Sequence, residues 1–179
     1  NIISSGSVLN VAKTGPHVSM GLRNGSFVTG RVPESEIRDE ITPFSWLVSG
    51  AGWLVRGGKV YVRESLGVDG EDVASMVQPL DFVDGRYSRT VLGHDAQARL
   101  LLLHVEGYGN DTGLTMYETA DWAVKLGFIN AINLIGGDYS SFARHGVDVS
   151  IAAAECTPSL APGSSMRRCQ PPVSTVACV

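Results

Sequence analysis

The sequence predicts an α+β fold built mostly of antiparallel strands with few helices, in a single compact domain with a disulfide-stapled C-terminal loop. Three observations predict it. Short β-branched, aromatic or apolar runs recur through residues 18–105, separated by tight-turn residues. A single stretch, starting at Thr115, combines a helical period with start and stop signals. The cysteines fall late, at Cys156, Cys169 and Cys178, in a segment rich in Pro, Ser and Gly.

In the first hairpin Val18, Met20 and Leu22 alternate, Asn24-Gly25 supplies a two-residue turn, and Phe27 to Thr29 runs back. Trp46-Leu47-Val48 and Trp53-Leu54-Val55 read as strand, with Ser49-Gly50-Ala51-Gly52 bulging or bending it. The Arg56-Gly57-Gly58-Lys59 turn then leads to a return strand, Val60-Tyr61-Val62. Residues 65–87 carry Asp, Gly, Glu and Pro with no sustained period and predict a long surface excursion. A third hairpin joins Arg89–Gly93 to Leu100–Val105 through the polar turn His94–Ala98, and the apolar run of its second strand implies burial on both faces. Thr115 and Glu118 form a capping box, Met116, Ala120, Ala123 and Val124 make the apolar stripe, and Lys125 with Gly127 ends the helix. Phe128–Ile135 then reads as a buried strand that delivers its end into Gly136-Gly137.

Size and charge exclude several functions. At 179 residues and 44% hydrophobic content the chain suits one domain with a real core. A net charge of −4, with the 14 Lys and Arg scattered, argues against a nucleic-acid partner. No apolar run approaches the roughly 18 residues that span a bilayer, the longest being Leu100–Leu103. No metal-ligand spacing is present, and nothing calls for a cofactor. Asn24-Gly25-Ser26 and Asn110-Asp111-Thr112 are glycosylation sequons, which with the cysteines predict a lumenal or extracellular site in the secretory pathway. The alternatives are that Asn24-Gly25 serves the hairpin turn alone, and that the cysteines are buried thiols. Closing a loop between Cys156 and Cys169 would contribute about 3 kcal/mol in the chain-entropy model. Cys178 is then left over for a partner outside the chain, or as a free thiol.

The chemistry concentrates around residues 132–142, where glycines at a strand end let backbone N–H groups approach an anion. Asn133, Leu134, Gly136, Gly137 and Phe142 resemble the phosphodiester glycosidase family's signature, in which Asn-Leu leads into an Asp-Gly-Gly-Gly-Ser loop. Ser88-Arg89-Thr90-Val91-Leu92-Gly93-His94-Asp95, His104-Val105-Glu106-Gly107 and Gly113-Leu114-Thr115 follow in the family's order. Val28-Thr29-Gly30, residues 49–56, and the segments around Cys169 and Cys178 are similar to family members as well. The resemblance covers nearly all of residues 1–179 and implies hydrolysis of a sugar-1-phosphodiester, such as N-acetylglucosamine-phosphate-mannose on glycans. It implies further that the domain's N-terminal segment precedes Asn1, carrying a cysteine to pair with Cys178.

On this reading the ligand is a glycan or sugar phosphate. Arg89, Gly136, Gly137 and Ser141 are its expected contacts, with the Arg89 fork set against the phosphate. Arg89 in a structural ion pair within the hairpin is the alternative. The expected catalytic groups are Glu106, where the family has Asp before Gly, Asp138, and His104. His94 beside Asp95 is a further proton handler to consider, with a turn or packed histidine as the alternative reading of either imidazole. The resemblance fails at one telling place. The signature Asp falls at Ile135, while Asp138 and Tyr139 replace the third glycine and the small hydroxyl residue. Either Glu106 or Asp138 takes over as the carboxylate, or the domain is catalytically degenerate and serves carbohydrate binding or an extracellular assembly.

Overall fold

A computed structural model describes residues 1–11, 17–67, 79–107, 112–136, 142–144, 147–150, 156–157 and 168–169. Two five-stranded sheets dominate it. The first contains β1 (Ile2–Ser4), β2 (Ser7–Asn10), β3 (Val18–Arg23), β4 (Ser26–Arg31) and β5 (Trp46–Ser49), in the order β2-β1-β5-β3-β4. The second contains β6 (Trp53–Arg56), β7 (Lys59–Val60), β8 (Arg89–His94), β9 (Leu100–Val105) and β10 (Asn130–Gly136), in the order β7-β6-β10-β8-β9. Every pairing in both sheets is antiparallel. Four helices are described: α1 (Glu34–Ile37), α2 (62–67), α3 (Pro79–Asp84) and α4 (Met116–Lys125). The predicted mixture of antiparallel strands and few helices is what the chain adopts.

Local chemistry accounts for the hairpins. Asn24 and Gly25 both take positive φ, 50° and 73°, the conformation a two-residue turn between twisted strands requires. The stretch around Gly50 does more than bulge. There the chain leaves the first sheet after β5 and enters the second as β6, so the two tryptophan runs belong to different sheets. Crowding explains the glycine: a Cβ on Gly50 would lie 2.2 Å from the Asn133 carbonyl oxygen of β10.

Three expectations need correction. The return strand stops at Val60, because Val62 begins α2 and is buried in the core, 1% exposed. The run Leu100–Val105 is the edge strand β9, not a strand buried on both faces: Leu100 and Leu102 are 52% and 47% exposed, while Leu101 and Leu103 pack against the core. The 65–87 segment is likewise more than a surface excursion, since α3 supplies Val83 to the core. Residues 68–78 lie outside the described ones.

The main core lies between the second sheet and α4. Leu54, Val55, Val91 and Ala131 meet Met116, Ala120 and Ala123 there. The capping box is formed on both sides, with Glu118 N–H donating to Thr115 Oγ1 at 3.1 Å and Thr115 N–H to Glu118 Oε2 at 3.0 Å. Between the sheets, Met20 and Val18 pack on Ile132, and β4 crosses the second sheet with Phe27 stacked on His94 of β8. A third cluster, Ile3, Val32, Ile37, Phe44 and Leu47, seals the first sheet beneath α1. Short pairs follow: β11 (Phe142–Arg144) with β12 (Val147–Ser150), and β13 (Cys156–Thr157) with β14 (Arg168–Cys169). The last pair sets Cys156 opposite Cys169 in register, whereas Cys178 lies outside the described residues.

Candidate functional site

Three strands of the second sheet bring the predicted residues to one end. Gly136 of β10 stands opposite Arg89 of β8, and Arg89 opposite Val105 of β9. One step in, Ile135 stands opposite Thr90, and Thr90 opposite His104. Glu106 follows β9 directly and is exposed. Gly137, Asp138, Tyr139 and Ser141, with the sequon residue Asn110, lie outside the described residues. Asn24 sits in the exposed β3–β4 turn.

Among the described residues Arg89 is the largest fully buried side chain, at 0% exposure. Its Nε donates to the Leu114 carbonyl at 3.1 Å, and its Nη2 to the Phe82 and Gly85 carbonyls at 2.7 and 3.0 Å. The guanidinium lies over the rings of Phe82 and Tyr87, 4.8 and 5.4 Å from their centroids. Carbonyl oxygens at the end of α3 and ahead of α4 therefore occupy most of its fork, and these contacts involve no carboxylate. Burial lowers its pKa to about 10, against a smaller opposing influence of Tyr87, so it stays charged near neutrality. Its Nη1 is buried without a hydrogen-bond partner among the described residues, and so is Oδ1 of Asn133, whose Nδ2 donates to the Ala51 carbonyl at 3.3 Å.

His104 is half-buried, its Nδ1 3.0 Å from Thr90 Oγ1. Burial lowers its pKa below the ordinary 6.5, opposed by the negative charge of Glu106. A neutral imidazole beside a carboxylate can accept a proton and then be stabilised as the cation. His94 stands at the other end of β8, opposite Asn130 and Leu100. Its Nδ1 lies 3.0 Å from the Asp95 carbonyl and its Nε2 3.1 Å from Asn130 Nδ2, so it joins the two sheets instead of entering the site. Asp95 closes the β8–β9 turn, accepting from the N–H groups of Gln97 and Arg99, both at 2.9 Å, and from Arg99 Nε at 2.6 Å.

Sequence reasoning did not pick out Thr90 as a site residue. The register that sets Thr90 opposite His104 depends on His94 pairing with Leu100, whereas the sequence assigns His94 to the turn. Nor did it foresee that the Asn133 amide would be fully buried with an open oxygen; that depends on the sheet change at Gly50, which brings Ala51 beneath β10.

The fold and this cluster define a two-sheet antiparallel domain with a polar site at the glycine-ended central strand. A phosphodiester glycosidase family model matches residues 1–165, and the chain belongs to that family. Among its relatives are proteins named N-acetylglucosamine-1-phosphodiester alpha-N-acetylglucosaminidase. The Mus musculus protein is 33% identical over 180 aligned positions, covering 100% of this chain and 34% of its own length. The Bos taurus protein is 35% identical over 180, covering 100% and 33%. The chain thus spans about a third of the length of these curated relatives. The solved zebrafish catalytic domain of the same name, described as auto-inhibited by its pro-peptide, superposes with a TM-score of 0.81 at 30% identity, over 96% of this chain and 54% of that one. Among the described residues no helix is long and apolar enough to cross a membrane.

Proposed function

We propose that residues 1–179 form a glycosidase-like domain of the secretory pathway that hydrolyses a sugar-1-phosphodiester, N-acetylglucosamine-phosphate-mannose on glycans being the substrate of choice. The observation that carries this reading is the Thr90–His104 contact, with Glu106 acting on the same imidazole, at the strand end that leads into the family's glycine loop. In the proposed reaction neutral His104 takes a proton from water as the water oxygen bonds to the anomeric carbon. The carbon–oxygen bond to phosphate breaks, its electron pair leaves with the phosphate, and Glu106 stabilises the imidazolium. A phosphate monoester is a weakly basic leaving group, with a second pKa of about 6, so the step asks less of a general acid than cleavage from an alcohol does. That property lets the site tolerate Ile135 at the signature Asp position. Arg89 Nη1 and the backbone of Gly136-Gly137 are the proposed anion contacts, with Ser141 beside them and Asp138 as a further carboxylate.

Ile135 itself favours a second reading, a catalytically degenerate domain kept for carbohydrate binding or for an extracellular assembly. Hydrolysis of N-acetylglucosamine-α-1-phospho-mannose by the full-length protein decides between the two, run beside Glu106→Gln, His104→Gln and Ile135→Asp variants. Release of N-acetylglucosamine by the parent, reduced about 100-fold or more in the first two variants, supports the enzyme. A silent parent, with activity gained in Ile135→Asp, supports the binding module. Glycans on Asn24 and Asn110, a Cys156–Cys169 bridge, and a partner for Cys178 beyond this chain belong to the same secretory reading, and mass spectrometry of the secreted protein tests them.

A further inference from the structure

We propose that Thr90 is a positioning residue that fixes the orientation of the His104 ring. The two residues are direct partners in the β8–β9 ladder, and their side chains meet at 3.0 Å between Oγ1 and Nδ1. A β-branched side chain on a strand has few rotamers, so the threonine hydroxyl is held in place before the imidazole meets it. Contact at Nδ1 sets the ring's rotation about its bond to Cβ.

The sheet register gives this pair a wider meaning. Ile135 stands opposite Thr90 on the third strand, where the family's signature carries Asp. A carboxylate at that position would stand in one row with the hydroxyl and the imidazole, on three adjacent strands. In this chain the row is shortened to the hydroxyl and the imidazole, and the carboxylate that influences the ring comes from Glu106, two residues beyond His104. The threonine is thus the element of the row that the substitution at position 135 leaves in place. Its catalytic consequence rests on the glycosidase reading above; its effect on the imidazole does not.

The test separates the two. Nitrogen-15 chemical shifts of the His104 ring are measured in the full-length protein, in Thr90→Val, which keeps the shape and removes the hydroxyl, and in Thr90→Ser, which keeps the hydroxyl. Thr90→Ala covers the case in which the valine variant does not fold. The expected result is altered ring-nitrogen shifts in Thr90→Val and Thr90→Ala, with parental shifts in Thr90→Ser. Alongside it, kcat for the sugar phosphodiester falls about 10-fold or more with KM little changed, and Thr90→Ser restores it. Parental His104 shifts in folded Thr90→Val or Thr90→Ala overturn the assignment whatever the activity. Altered shifts in a protein that hydrolyses nothing leave Thr90 as the positioning residue and overturn the glycosidase reading instead.

Discussion

At the scale of single residues, His104 and Arg89 show opposite answers to burial. His104 is shifted toward its neutral form, burial outweighing the attraction of Glu106. A basic group whose pKa is lower in the folded than in the unfolded state makes the unfolded chain bind more protons between the two values, so stability rises with pH there. The folded protein has this advantage in full above the ordinary 6.5 and loses it as pH falls through the lowered value. His104→Gln cannot lose it, and the melting temperature of that variant is expected to fall less than the parent's between about pH 7 and pH 5; parallel falls would contradict the shift. Arg89 remains charged, and its donors serve the carbonyls of Phe82, Gly85 and Leu114. In Arg89→Met each of these carbonyls loses a donor, at about 1 kcal/mol or more apiece. A loss of at least about 3 kcal/mol in urea unfolding is the expected result, and an undiminished midpoint would show that other donors replace the guanidinium. Both residues were legible in the sequence through the family resemblance of the segments that carry them. Which carbonyls Arg89 would meet was not legible, because they come from a segment without a period, around α3, and from the approach to α4.

At the scale of elements, legibility followed the strength of local chemistry. The Asn24-Gly25 turn and the Thr115–Glu118 capping box have stereochemical causes within a few residues, and both form where the sequence places them. Leu100–Val105 misled because four successive leucines carry no alternation, and only the strand order shows that β9 has a neighbour on one side alone. The short β1–β2 hairpin left no signal, since all four residues of β2 are exposed and no apolar pattern is needed to seat it. Glycines at Gly50 and Gly52 announced a bend, and the structure makes that bend the passage between the sheets. Gly50→Ala forces a methyl group against the Asn133 carbonyl, 2.2 Å from the new carbon with both strands fixed. The expected cost is about 1–3 kcal/mol of unfolding free energy, measured by urea titration. A stability within a few tenths of the parent's would mean that the bend relaxes freely.

At the scale of the molecule, the strand-rich α+β class was legible because tight turns and helix signals are local, while the division into two sheets was not, because it depends on which strands meet. The same distinction governs the C-terminal region. Late cysteines in a Pro-, Ser- and Gly-rich segment suggested a staple, but spacing alone does not say which sulfurs meet. The register supplies an independent reason, setting Cys156 opposite Cys169 on adjacent antiparallel strands. Directly opposed residues on such strands have Cα atoms about 4.5–5.5 Å apart, within the roughly 4.4–6.8 Å that a disulfide accepts. The two-residue strands β13 and β14 are too short to hold together by ladder bonds alone, so a covalent link would contribute most there. If the bridge forms, peptide mapping of the unreduced protein recovers Cys156 and Cys169 in one linked species, and Cys156→Ser with Cys169→Ser lowers stability by about 3 kcal/mol. Free alkylation of both thiols in the folded, unreduced protein would show instead that the pair meets through its backbone register and that the region is held by packing alone.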